Sequence, residues 1–134
     1  MNGLTPDDVT RHCLGLDETT EDFPFGLQPA VYRVGGKIFA LLSEEADPPR
    51  VSLKLPPDEV TALKAEYPGT VLPGYHLNKR HWVTVLLESE ELDPGEMRAL
   101  VDQAYDTVVA TLPRRLRPGY VAPVPEAPAR RHRA

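Results

Sequence analysis

The sequence predicts an α+β domain in which an antiparallel sheet carries helices packed on one face. Three observations predict it. Strand-like runs at 31–34, 37–42 and 50–55 follow one another over connections too short for parallel crossovers. Within RVSLKL (50–55), Val51, Leu53 and Leu55 alternate with Ser52 and Lys54, so one sheet face is apolar and the other wet. Helix-start signals followed by apolar stripes stand near both ends of the chain, which places covering helices first and last.

The elements follow in order. Thr5-Pro6-Asp7-Asp8 reads as an N-cap, a proline in the first turn and acids facing the helix dipole. Val9, Cys13 and Leu16 then form one stripe. The acids Asp17, Glu18, Glu21 and Asp22 and the compact FPFG of 23–26 follow as irregular chain. VYRV (31–34) and KIFALL (37–42) flank Gly35-Gly36, whose positive φ suits a two-residue hairpin turn. The third strand is RVSLKL. Pro56-Pro57-Asp58-Glu59 opens a short helix carrying Val60, Leu63 and Tyr67, stopped by Pro68-Gly69. Two further strands are expected around the stretch 73–82, the second being HWVTVLLE (81–88) with Val83, Val85 and Leu87 on one face. Asp93-Pro94-Gly95-Glu96 is a capping box that launches the longest helix, with Met97, Leu100, Val101, Ala104, Tyr105, Val108 and Leu112 on one side. The predicted order is helix, three strands, helix, two strands, helix.

A chain of 134 residues with 41% apolar content suits one soluble domain. No apolar run is long enough to span a membrane, and MNGLTPDDVT lacks the apolar region of a signal peptide, so a cytoplasmic monomer is expected. Cys13 is the single cysteine, which excludes an internal disulfide; it reads as a buried core residue. The net charge of −5 conceals a division, because residues 113–134 hold six arginines and one acid while residues 1–112 hold nine Lys/Arg and nineteen Asp/Glu. The domain is expected to span 1–113, and the Arg/Pro-rich tail of 114–134 to be disordered.

PGYHLNKRHW (73–82) concentrates the chemistry. His76 and His81 have a spacing found in small zinc sites, but further Cys or His ligands are missing, so no metal or other cofactor is expected. No nucleophile stands in a recognisable context, and Gly35-Gly36 lacks the spacing of a phosphate loop, so no enzyme is expected. The residues leave two readings open. One is a structural corner, with Tyr75 and Leu77 inward, Asn78 in the turn and Trp82 packed at the sheet edge. The other is a wing whose Lys79, Arg80 and His81 project towards phosphates while Asn78 or His76 meets a base edge or sugar.

EDFPFG (21–26), VYRVGGKIFALL (31–42), VSLKL (51–55), PGYHLNKRHWVTV (73–85) and AYDTVVATLP (104–113) together resemble the MmcQ/YjbR family over roughly residues 8–113. The resemblance implies a frataxin-like (CyaY-like), double-wing α+β fold and a DNA-binding role, the latter by fold analogy. Its motif residues fall here on Lys37, Lys54, Tyr75, His76, Asn78, Lys79, His81 and Trp82. Two departures stand out: Leu55-Pro56 replaces a Cys-Asp pair, and Asp17-Glu18 replaces a Pro-Gly. The expectation is a non-enzymatic DNA-binding protein, with phosphate contacts from Lys37, Lys54, Lys79, Arg80 and the tail arginines. The alternatives are a protein-interaction module using the groove beside Trp82, and weak iron binding by Asp7, Asp8, Asp17, Glu18, Glu21 and Asp22, as the frataxin-like fold suggests.

Overall fold

The computed structural model describes residues 4–74 and 76–124. Its elements run α1 (Pro6–Leu14), β1 (Thr19–Asp22), β2 (Ala30–Val34), β3 (Lys37–Ser43), β4 (Arg50–Lys54), α2 (Pro57–Glu66), β5 (Val71–Pro73), β6 (Trp82–Leu86) and α3 (Pro94–Val109). The six strands form one sheet in the order β1-β2-β3-β4-β6-β5, every neighbouring pair antiparallel. The α+β class and the one-sided packing agree with the sequence.

The first and last helices start as the sequence requires. Thr5 Oγ1 accepts from Asp8 N–H at 3.1 Å, and Asp8 Oδ2 accepts from Thr5 N–H at 3.0 Å. The same reciprocal box joins Asp93 and Glu96 at the head of α3. Each cap satisfies two backbone donors that the first turn leaves without partners.

One face of the sheet forms the core. Tyr32, Ala40, Leu42, Val51, Leu53, Val83, Val85 and Val71 meet Val9 and Cys13 of α1, Val60 and Leu63 of α2, and Met97, Leu100, Val101, Ala104 and Val108 of α3. Register shifts between Tyr32–Ala40 and Arg33–Ile38, so Phe39 is an extra residue in β3. The bulge turns Phe39 into the core, where its ring meets Tyr105 edge-on at 5.5 Å.

The strand β1 is an addition to the predicted order. Its TTED sequence has no apolar alternation, which is why it reads as loop. Pairing with β2 makes it a strand, and side chains fix the register. Tyr32 Oη donates to Glu21 Oε2 directly opposite at 2.7 Å, and Arg33 Nε lies 3.3 Å from Asp22 Oδ1 on the diagonal. A short, charged edge also resists pairing with another chain.

The sequence places the end of the domain at Pro113; the described chain beyond it is largely exposed and returns to the body through hydrogen bonds. Arg114–Leu116 make one turn of 3₁₀ helix. Arg117 Nε donates to Leu112 O at 3.0 Å and Nη2 to Ala110 O at 3.3 Å, supplying the positive charge that the last turn of α3 lacks. Gly119 N–H then donates to Glu18 Oε2 at 3.3 Å. The rest of the expected disordered tail, 125–134, lies outside the described residues. Among the described residues, no helix is long and apolar enough to cross a membrane.

Candidate nucleic-acid interface

The sheet face opposite the helices carries the chemistry. Cross-strand pairing sets Leu41, Ser52, Thr84 and Leu72 in one row across β3, β4, β6 and β5. Ser43, Arg50 and Leu86 form the row on one side, and Lys54 stands opposite Trp82 on the other. Period-two alternation in β4 therefore delivers Arg50, Ser52 and Lys54 together to the open face.

Loops make this face concave. His76 and Leu77 of the chain after β5 line it, together with Phe25, Pro29, Ala46 and Asp47. The resulting groove has a volume of about 570 Å³ on the Phe25 side, floored by Leu41, Ser52 and Thr84. A continuation of about 500 Å³ runs between Arg50, Leu72, His76 and Lys79. Ser52 Oγ and Thr84 Oγ1 lie 3.0 Å apart on the floor. One hydroxyl donates to the other, so one O–H remains to be offered elsewhere.

The loop is held by its own backbone. Leu77 N–H donates to Gly74 O at 3.3 Å, and His81 N–H and Trp82 N–H both donate to Asn78 O at 3.1 Å. Asn78 Oδ1 accepts from Arg80 N–H at 2.9 Å, a side-chain turn that Asn makes readily. His76 takes φ of 59°, an uncommon left-handed value that a histidine tolerates better than a β-branched residue. Gly74 admits no side chain: a Cβ there would sit 2.6 Å from Trp82 Cβ and 3.1 Å from Trp82 O. This close approach presses the loop onto β6.

The structure gathers some of the residues singled out from sequence and disperses others. His76 and Lys79 line the groove, and Lys79 Nζ reaches Gly74 O at 3.4 Å. Arg80 is exposed on the loop, and His81 is half-buried with its carbonyl accepting from Leu55 N–H at 2.9 Å. Lys54 and Trp82 pair on the same face, Trp82 on an interior strand rather than at the sheet edge. Asn78 is exposed, but its carbonyl oxygen already serves the turn, which leaves its amide donors for a ligand. Lys37 is not part of the group: it stands opposite Val34, a core residue, and so leaves the sheet on the helix side. Tyr75 lies outside the described residues.

Arg50, Ser52 and Thr84 complete the site, and of these Arg50 is the residue that sequence reading missed. Alternation already placed Ser52 and Lys54 on the wet face; one further step back reaches Arg50. Arg50 Nε donates to Pro48 O at 3.2 Å, which aims the side chain, and no carboxylate among the described residues lies in ion-pair range of it.

The acids proposed for iron do not converge. Asp8 is in the α1 cap, where hydrogen bonds from Thr5 hold its carboxyl below the ordinary value. Glu21 accepts from Tyr32, Asp22 pairs with Arg33, and Glu18 accepts from Gly119. Among the described residues, no group of three or more His, Cys, Asp or Glu side chains is placed to hold a metal ion.

The YjbR family model matches residues 14–107. The uncharacterized protein YbdF of Escherichia coli O157:H7 is 38% identical over 101 residues, covering 72% of this chain and 81% of YbdF. The uncharacterized protein YjbR of Escherichia coli K12 is 29% identical over 114 residues, covering 85% of this chain and 95% of YjbR. The crystal structure of Deinococcus radiodurans protein DR2400, with its DUF419 domain, superposes with a TM-score of 0.78 at 33% identity, covering 84% of each chain. A Pseudomonas syringae protein superposes with a TM-score of 0.63 at 27% identity, covering 78% of this chain and 98% of its own. The matched region runs from the end of α1 through most of α3 and includes the whole open-face groove; the chain belongs to the YjbR family.

Proposed function

We propose that this protein is a non-enzymatic DNA-binding protein that contacts phosphates through the loop 76–82 and Arg50. The observation that carries the reading is that Arg50, Lys79 and His76 line one continuous groove on the sheet face that the helices leave open. Lys54 and Arg80 extend the positive charge beyond it. The domain as a whole is acidic, with a net charge of −5 for the full chain, so non-specific attraction to DNA is weak away from this face. Such a balance favours docking in one orientation, because acidic flanks repel the backbone wherever the groove does not face it.

A second reading has its own observation. Phe25, which lines the groove, is 66% exposed, and Phe23 and Leu27 on the same segment are exposed by 48% and 90%, an apolar edge that also suits a partner peptide. Backbone-amide NMR of the full chain titrated with a short duplex separates the two. The DNA reading expects shifts at Arg50, Lys54 and residues 76–82, with Lys37 unmoved. Shifts restricted to 125–134, or none at low salt, would rule the groove out as the reader.

A further inference from the structure

The groove is polarised along its length. At the loop end Lys79 joins Arg50 and His76, and no acid lines this part among the described residues. At the other end Phe25, Pro29 and Asp47 face the hydroxyl of Ser52; Arg50 and His76 border this part too, whereas Lys79 does not. A duplex backbone uses the first end and has no use for the second. Phosphate chemistry does not call for an exposed phenyl ring, and Asp47 would repel it.

We infer that the groove takes one unpaired nucleotide of single-stranded DNA, with its phosphate at the Arg50–Lys79 end and its base against Phe25. This rests on the proposed DNA-binding function and names the form of nucleic acid. The volume of about 570 Å³ falls within the range of pockets that enclose small ligands, and a nucleotide fits it. Phe25 offers a ring face, and base–aromatic stacking tolerates any sequence because every base has a π-face. Its loop is turned by Gly26, whose φ of 114° excludes side-chain residues, and Gly26 N–H donates to Phe23 O at 3.3 Å. Ser52 and Asp47 supply what a base edge needs: a hydroxyl that donates or accepts, and a carboxylate that accepts from an exocyclic amino group. Charge complementarity thus orders the nucleotide, phosphate to the basic end and base to the aromatic one.

Trp82 is the single tryptophan and lies half-exposed on the same face, so its emission reports on occupancy. The test uses the full chain with a fluorescein-labelled mixed-sequence single-stranded 12-mer, and the same 12-mer annealed to its complement, at low salt. Affinity for the single strand should exceed that for the duplex by about tenfold or more, as removal or gain of one stacked base typically produces. Trp82 emission should change on binding the single strand. Phe25→Ala should abolish that preference while leaving duplex affinity in place, and Phe25→Tyr should keep it. Because Phe25 is exposed, loss of folding does not obscure the result. Equal affinity for both forms, or a Phe25→Ala variant with the parent's preference, overturns the single-strand inference while DNA binding stands; the exposed ring then speaks for the peptide reading. Failure of both forms to bind overturns this inference and the proposed function together.

Discussion

Tyr32 Oη donates to Glu21 Oε2 at 2.7 Å, joining the edge strand β1 to its neighbour from inside the core. Since the phenol has one hydrogen, Thr10 Oγ1, 2.9 Å away, must donate to it, and α1 is tied to the same point. Burial, with the Glu21 carboxylate beside it, pushes the phenol's pKa above its ordinary 10.0, so the folded state favours the neutral form. The resulting stability is complete below pH 10 and is lost as pH rises beyond it. Urea midpoints should therefore fall steeply above pH 10 in the parent. Tyr32→Phe should cost about 1–2 kcal/mol at neutral pH, because Glu21 and Thr10 lose a partner, and should flatten the alkaline fall. An unchanged alkaline profile in the variant would contradict the assignment.

Cys13 is fully buried on α1, and burial, reinforced by the carboxylates of Glu21 and Asp102, pushes its thiol from 9.0 up to about 12. The thiolate is the reactive form, so the native protein should resist an aromatic disulfide reagent at pH 8 and react stoichiometrically once unfolded in guanidinium. Prompt reaction of the native protein would show that α1 opens or that the thiol is not enclosed.

Gly74→Ala should destabilise the protein by about 1–3 kcal/mol, since the new methyl meets Trp82 Cβ and carbonyl on an interior strand that cannot retreat. The loop 76–82 should move with it, visible as a changed Trp82 emission in the absence of any ligand. A variant with the parent's stability and emission would mean that the loop does not depend on this approach.

Arg117→Ala should lower stability by about 1 kcal/mol through loss of the two carbonyl contacts at the end of α3. Arg117→Lys should recover part of that loss, since charge alone favours a helix C-terminus. Thermal midpoints of the three proteins check the order. Equal midpoints would show that the segment after Pro113 contributes nothing to the fold.

Much of this architecture was legible because it is written in local rules. The capping boxes at Thr5–Asp8 and Asp93–Glu96, the Gly35-Gly36 hairpin and the alternation of β4 each follow from a few neighbouring residues. The strand β1 was not legible, because its Thr19–Asp22 sequence becomes extended only through pairing with β2. The site was half legible. The loop's residue types announced it, but the groove depends on which strands neighbour one another, and β6 lies between β4 and β5 only in three dimensions. That arrangement sets Arg50 and Ser52 beside Thr84 and separates Lys37 from Lys79. Arg117 shows the same limit: nothing local in the tail announces that this arginine reaches back to the carbonyls of Leu112 and Ala110 at the end of α3.

The proposed function requires the folded domain to meet phosphates through the loop beside the open sheet face. The most direct measurement is duplex affinity as a function of salt for the full chain and for residues 1–124, each with and without Lys79→Ala/Arg80→Ala. The 1–124 protein should still bind at low salt, and the double substitution should lower the slope of log affinity against log salt by about 2, near 0.9 for each lost phosphate contact. A 1–124 protein that binds no DNA, or a double variant with the parent's slope, would contradict it.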